Sequence, residues 1–232
     1  MKTLLFTAFA VILLSATPVL ADNFQLNDWV FNVSGTFYNP APNPNPLSSE
    51  FDASAFNFTT GLGPIQLTLG PGSYSVIGYF DHDIVGLNNG VANETGSVHG
   101  IAAAGQSWEI DDPGYGNMPP YVGNLVDNVV AGSLDNQLFD GTYTGPDDVA
   151  MALGWAFIVN SGETAHLRFD ITSTAAPSGF YLQQTDPGGL DLYFSSSLDI
   201  TGQTDVPEPG AWILLATVAG LLSLGKLKRT AS

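Results

Sequence analysis

The sequence predicts an all-β fold, a two-sheet antiparallel β-sandwich of jelly-roll type, on three observations. Apolar and polar residues alternate with period two along several short segments, as in Ala165-His166-Leu167-Arg168-Phe169-Asp170-Ile171. The chain is punctuated by 26 glycines and 15 prolines, the spacing expected of short strands and tight turns. Outside the two ends, no helical period runs longer than two turns.

The first element is not part of the fold. Lys2 and the apolar stretch Leu4 to Leu14 form the n- and h-regions of a signal peptide, and Val19-Leu20-Ala21 is a small-residue cleavage site. Residues 1–21 are expected to be removed by signal peptidase between Ala21 and Asp22. Residues 22–206 then make one exported domain. Trp29 to Val33 reads as its opening strand, and Asn39 to Ser49 (NPAPNPNPLSS) as a proline-rich connector that cannot donate regular ladder bonds. Three hairpins follow from turn chemistry. The first joins Ile65–Leu69 to Tyr74–Phe80 through Pro71-Gly72. The next joins Met151–Val159 to Ala165–Ile171 through Asn160-Ser161-Gly162-Glu163. The last joins Gly179–Thr185 to Leu190–Ile200 through Pro187-Gly188-Gly189. Between them, Asp111 to Leu134 is a long Gly/Pro/Asn-rich loop.

The last element is again separate. Val206-Pro207-Glu208-Pro209 precedes an uncharged run from Ala211 to Gly225, and Lys226, Lys228 and Arg229 close the chain. The prolines keep the motif extended. Fifteen residues at about 1.5 Å rise make a short transmembrane helix of about 22 Å. The basic cluster holds its end on the cytoplasmic side. Residues 207–232 resemble a PEP-CTERM sorting signal, which implies a transient inner-membrane anchor handled by an exosortase in a Gram-negative bacterium that makes exopolysaccharide. The middle of the chain also resembles one group of PEP-CTERM proteins, through the blocks GYFDHDI, NETGS, AAGQSWEIDDPGYG, GSLDN, PDDVAMALGW, SGETA, GFYLQQTDP and YFSSSLDI in that order. That group carries no assigned activity, so the resemblance implies an address and no chemistry.

Charge narrows the partners. With both ends removed, Arg168 stands alone against every acidic residue except Glu208, a net charge of about −20. Such a surface repels nucleic acid and anionic lipid and attracts cations. There is no cysteine, so the exported domain rests on its core or on bound metal.

Asp81-His82-Asp83, Asp111-Asp112 and Asp147-Asp148 are expected at strand ends or loop starts. Acidic loops gathered at one end of a sandwich can supply the six to eight oxygens of a Ca²⁺ site; the same residues also serve as turn caps. Zinc is disfavoured, because His82, His99 and His166 are scattered and thiols are absent. Tyr115 and Tyr121, with Pro119 and Pro120, are candidate rings for stacking on sugars. Glu109 and Asp111 share a strand face and are the candidate acid–base pair of a glycoside hydrolase. No nucleophile elbow, phosphate loop or dinucleotide fingerprint is present. The leading expectation is a non-enzymatic exported protein of the cell envelope or biofilm matrix, acting as a structural or interaction module. The alternatives are a Ca²⁺-dependent module for extracellular polysaccharide and a polysaccharide hydrolase.

Overall fold

The computed structural model describes residues 23–39, 45–85, 93–113, 123–139 and 148–202. These residues form eleven strands and one helix: β1 (Phe24–Val33), β2 (Thr36–Tyr38), β3 (Phe51–Asp52), β4 (Gly63–Leu69), β5 (Gly72–Ile84), β6 (Thr95–His99), β7 (Gln106–Asp111), α1 (Leu125–Ala131), β8 (Ala150–Val159), β9 (Glu163–Thr172), β10 (Tyr181–Thr185) and β11 (Asp191–Gly202). They make two antiparallel sheets. One has five strands in the order β2-β1-β5-β8-β7, the other six in the order β3-β4-β9-β11-β10-β6.

The alternation read from β9 is real: Ala165, Leu167, Phe169 and Ile171 are buried, and the residues between them reach solvent. Phe169 and its β11 neighbour Phe194 meet Phe31 of β1 and Phe80 of β5 across the sandwich. Ring centroids lie 5.5 Å apart for Phe31–Phe169 and 5.2 Å for Phe80–Phe194. Each fully buried ring of this kind contributes about 1.5–3 kcal/mol, so these contacts bind the sheets together.

β5 departs from simple alternation: every residue from Val76 to His82 is buried. Both faces of this strand are covered, the inner one by the opposite sheet and the outer one by α1. Seven residues are too few for a stable isolated helix, so α1 depends on its seat. Leu125 and Val129, one turn apart, pack on Ile77, Tyr79, Ala150 and Ala152. The alanines of β8 leave room for the helix. Asn32 Nδ2 donates to Val129 O at 2.8 Å, and Gly132 at φ 75° closes the helix.

Two of the three expected hairpins are corrected. β10 and β11 do pair, from Tyr181↔Ser195 to Thr185↔Asp191. β4 and β5 do not, and neither do β8 and β9; in both cases the chain crosses to the other sheet. Strands with a strongly apolar face gain more by stacking those faces across the core than by lying side by side. In the β8–β9 crossing, Gly162 adopts φ 85° and Glu163 Oε2 accepts from both the backbone N and Nδ2 of Asn160. The loop expected over Asp111 to Leu134 contains α1. Among the described residues no helix is long and apolar enough to cross a membrane; the segments expected to be a signal peptide and a C-terminal transmembrane helix lie outside them.

Candidate functional site

Two faces of the sandwich carry chemistry, one on each sheet. The first is the outer face of the five-stranded sheet. Asp81 and Asp83 lie within β5, not at a loop start as expected, because β1 continues the ladder past them: Asp28↔Asp81, Leu26↔His82 and Gln25↔Asp83. Two residues apart on a strand, they point to the same side. On the other flank of β5, Asp81 pairs with Ala150. Extending that antiparallel register by two residues brings Asp148 opposite Asp83. One ligand oxygen each from Asp81, Asp83 and Asp148 lies within 4.8 Å of the other two.

This corner is crowded with negative charge. Asp81 is 4% exposed, and its carboxyl is pushed up to about 8 by burial, then by Asp148, Asp83, Asp28 and Glu94. Glu94 is fully buried. Its Oε1 accepts from Ile84 N at 2.8 Å and its Oε2 from Gln184 Nε2, which also donates to His82 O. Burial raises it to about 8, against these hydrogen bonds. His82 points to the inner face, near Gly61 O, and burial lowers it to about 4. A Cβ on Gly61 would lie 1.9 Å from His82 Nε2, so this close approach requires glycine.

Asp111 does not join the trio. It sits on the far side of Ala150, across β8, and its oxygens accept from Asp112 N at 2.8 Å and Asn124 N at 3.4 Å. Asp112 is buried beside it. Asp147, Tyr115 and Tyr121 fall outside the described residues, as do Ala21, Asp22, Val206, the Pro207-Glu208-Pro209 motif, Lys226, Lys228 and Arg229. Glu109 shares the face of Asp111, as expected, but is 1% exposed and held by Asn128 Nδ2 and Asp135 N. Burial raises it to about 7.

The second face is the outer side of the six-stranded sheet. Strand register places His99, Tyr181, Ser195 and Asp170 in one row, with Ser97, Gln183, Tyr193 and Thr172 in the next. His99 stacks on Tyr181 at 4.6 Å, and Tyr181 meets Tyr193 edge-on at 5.8 Å. Beside the rings, Asp191 Oδ1 accepts from Thr185 Oγ1 at 2.6 Å and Gln183 Nε2 at 2.9 Å, and Oδ2 from Tyr193 O–H at 3.1 Å. Partial burial pushes Asp191 up, but the three donors outweigh it and hold the carboxylate below its ordinary range. The face continues into an open groove of about 470 Å³ lined by Arg168, Asp170, Phe180 and Ser195. Arg168 is bound to Asp170 at 2.9 Å. Sequence reasoning missed this face because Tyr181-Leu182-Gln183-Gln184-Thr185 carries no motif; its alternation was the one available signal.

Compared with known proteins, the chain matches no family model, no curated protein and no solved structure. The likeness to PEP-CTERM proteins therefore rests on the sequence motifs.

Proposed function

We propose that the chain is an exported β-sandwich module that binds a neutral polysaccharide on the outer face of its six-stranded sheet and acts at the cell surface or in the extracellular matrix. The observation that carries this is the cluster of His99, Tyr181 and Tyr193, spread over two adjacent rows beside an oriented Asp191. Aromatic edges offer an apolar body with a polar tip. A carboxylate fixed by three donors keeps about one of its four lone-pair sites, on Oδ2, for a sugar hydroxyl without reorganising. A polyanionic glycan or nucleic acid would meet a domain of about −20 and be repelled. The burial of Glu109 favours binding over hydrolysis.

Delivery follows the two ends. Signal peptidase releases residue 22 onward, the C-terminal helix holds the chain transiently in the inner membrane, and an exosortase processes it near Pro207-Glu208-Pro209. The jelly-roll reading of the sandwich is supported by the repeated crossing between sheets, from β4 to β5 to β6 to β7.

Affinity electrophoresis in gels containing hydroxyethyl cellulose, dextran or galactomannan tests the binding. The protein is expected to be retarded by one of these, and Tyr181→Ala with Asp191→Ala to abolish retardation while the fold persists, its melting temperature lowered by no more than a few degrees. If no polymer retards it, the glycan reading fails and a plain structural module remains. Replacing Pro207-Glu208-Pro209 with alanines tests sorting: the chain should accumulate in the inner-membrane fraction. Release unchanged would remove the exosortase from the account.

A further inference from the structure

We infer that Asp81, Asp83 and Asp148 form a binding site for a hard divalent cation of the Ca²⁺ class on the outer face of the five-stranded sheet. This inference does not rest on the glycan reading, whose face belongs to the other sheet.

Three observations carry it. The first is spacing. Two oxygens bound to one Ca²⁺ at about 2.3–2.6 Å can be no more than about 5 Å apart, and the three ligand atoms lie within 4.8 Å of one another. The second is an open valence. Asp81 is 4% exposed, yet its Oδ1 has no hydrogen-bond partner, and Oδ1 of Asp83 is enclosed in the same state. Buried carboxylate oxygens are normally satisfied, so an enclosed, unpartnered pair within this cluster calls for a cation or a proton. The third is the lack of any protein cation to serve. Among the described residues Arg168 is the one lysine or arginine, and it is bound to Asp170 on the other sheet.

The chemistry of the donors selects the ion. All three are carboxylates, and His82, the nearest imidazole in sequence, faces the opposite side of β5. An oxygen-only set suits Ca²⁺ and disfavours zinc. Asp28, paired with Asp81 across the β1–β5 ladder, adds a fourth acidic residue at the margin. β5 supplies two ligands from rigid backbone, and Asp148 stands two residues before β8. The ion therefore ties the start of β8 to the end of β5.

The rival is a shared proton, and one experiment separates the two. The full-length chain is melted in excess Ca²⁺, in excess Mg²⁺, and in chelator at matched ionic strength, beside Asp81→Asn and the milder Asp148→Asn. Saturation at a hundred times Kd should raise the melting temperature by about 5–10 °C with Ca²⁺, and both variants should lose that shift. Tb³⁺ bound in place of Ca²⁺ should luminesce on excitation of Tyr79, which lies two residues from Asp81 on the same strand face. Equal melting in Ca²⁺ and chelator, with Asp81→Asn as stable as the parent, would overturn the site in favour of a proton. A shift with Mg²⁺ alone would overturn the choice of ion.

Discussion

On the outer face of the six-stranded sheet, Asp191 sits among three hydrogen-bond donors and its carboxylate is stabilised. On the outer face of the five-stranded sheet, Asp81 sits among four other acids and its charged form is disfavoured. Both residues lie on strands, and both side chains point away from the core between the sheets. The difference is what covers them. The first face is open, so acids, amides and hydroxyls alternate and satisfy one another. The second face carries α1 over Ile77, Tyr79, Ala150 and Ala152, and Asp81, next along β5 on that side, is 4% exposed. Carboxylates there lose hydration without gaining a basic partner. The same residue type is thus a prepared hydrogen-bonding group on one face and a demand for a counter-ion on the other.

The contrast breaks most visibly by attacking the cover. Leu125 is fully buried beneath α1, and Leu125→Asp would put an unpaired charge there. The expected loss is about 4 kcal/mol or more, read as a lower urea midpoint. Ser197→Asp on the open face should stay within about 0.5 kcal/mol. Equal effects would mean that α1 does not seal the five-stranded sheet.

The next effect is on pH. Glu109 titrates at about 7 in the fold against an ordinary 4.5, chiefly through burial. Its protonated form is the one the fold prefers, so this stability is fully present below pH 4.5 and is lost as pH rises through 7. The drop is on the order of 2–3 kcal/mol. Glu109→Gln should flatten the stability curve between pH 4.5 and 7; an unchanged slope would place the titration elsewhere. Smaller again is Asn32→Ala. Asn32 bridges Val129 O and Gly35 N, each at 2.8 Å; Gly132 N still reaches Val129 O at 3.2 Å, so the loss of the two side-chain bonds should cost about 1–2 kcal/mol. The helix CD signal at the start of thermal unfolding checks it.

Much of this architecture was legible in the chain. Strand periods in β9 and β8 and the Pro187-Gly188-Gly189 turn were read from local residues, because side-chain alternation and turn chemistry are local properties. The two mistaken hairpins share a cause. A Gly-containing turn says that the chain reverses, but whether the next strand pairs or crosses the core depends on apolar faces distant in sequence. The acidic trio shows the same limit. Asp81 and Asp83 could be singled out as sequence neighbours, though at a loop start and not within a strand, and their convergence with Asp148 depends on β5 and β8 lying side by side in one register. Asp111 belonged to the same sequence pattern and fell on the far side of Ala150. The helix in the long loop was missed since seven residues, with only Leu125 and Val129 fully buried, give no sustained period.

The smallest expected effect sharpens the comparison most, because its sign is opposite to that of Glu109. Asp191 is held below its ordinary range, so its contribution is present at neutral pH and disappears as pH falls and the carboxylate protonates. The group keeps part of its surface in solvent, which limits the contribution to below about 1 kcal/mol. Asp191→Asn should therefore weaken the fold slightly at pH 7 and match the parent in acid, whereas Glu109→Gln should differ most above pH 7. If both variants showed the same pH trend, the distinction between the open and covered faces would be wrong, since a common trend requires that the two carboxyls share one environment. Opposite trends would tie each carboxyl to the cover over its own sheet, with Thr185, Gln183 and Tyr193 accounting for the one and α1 for the other.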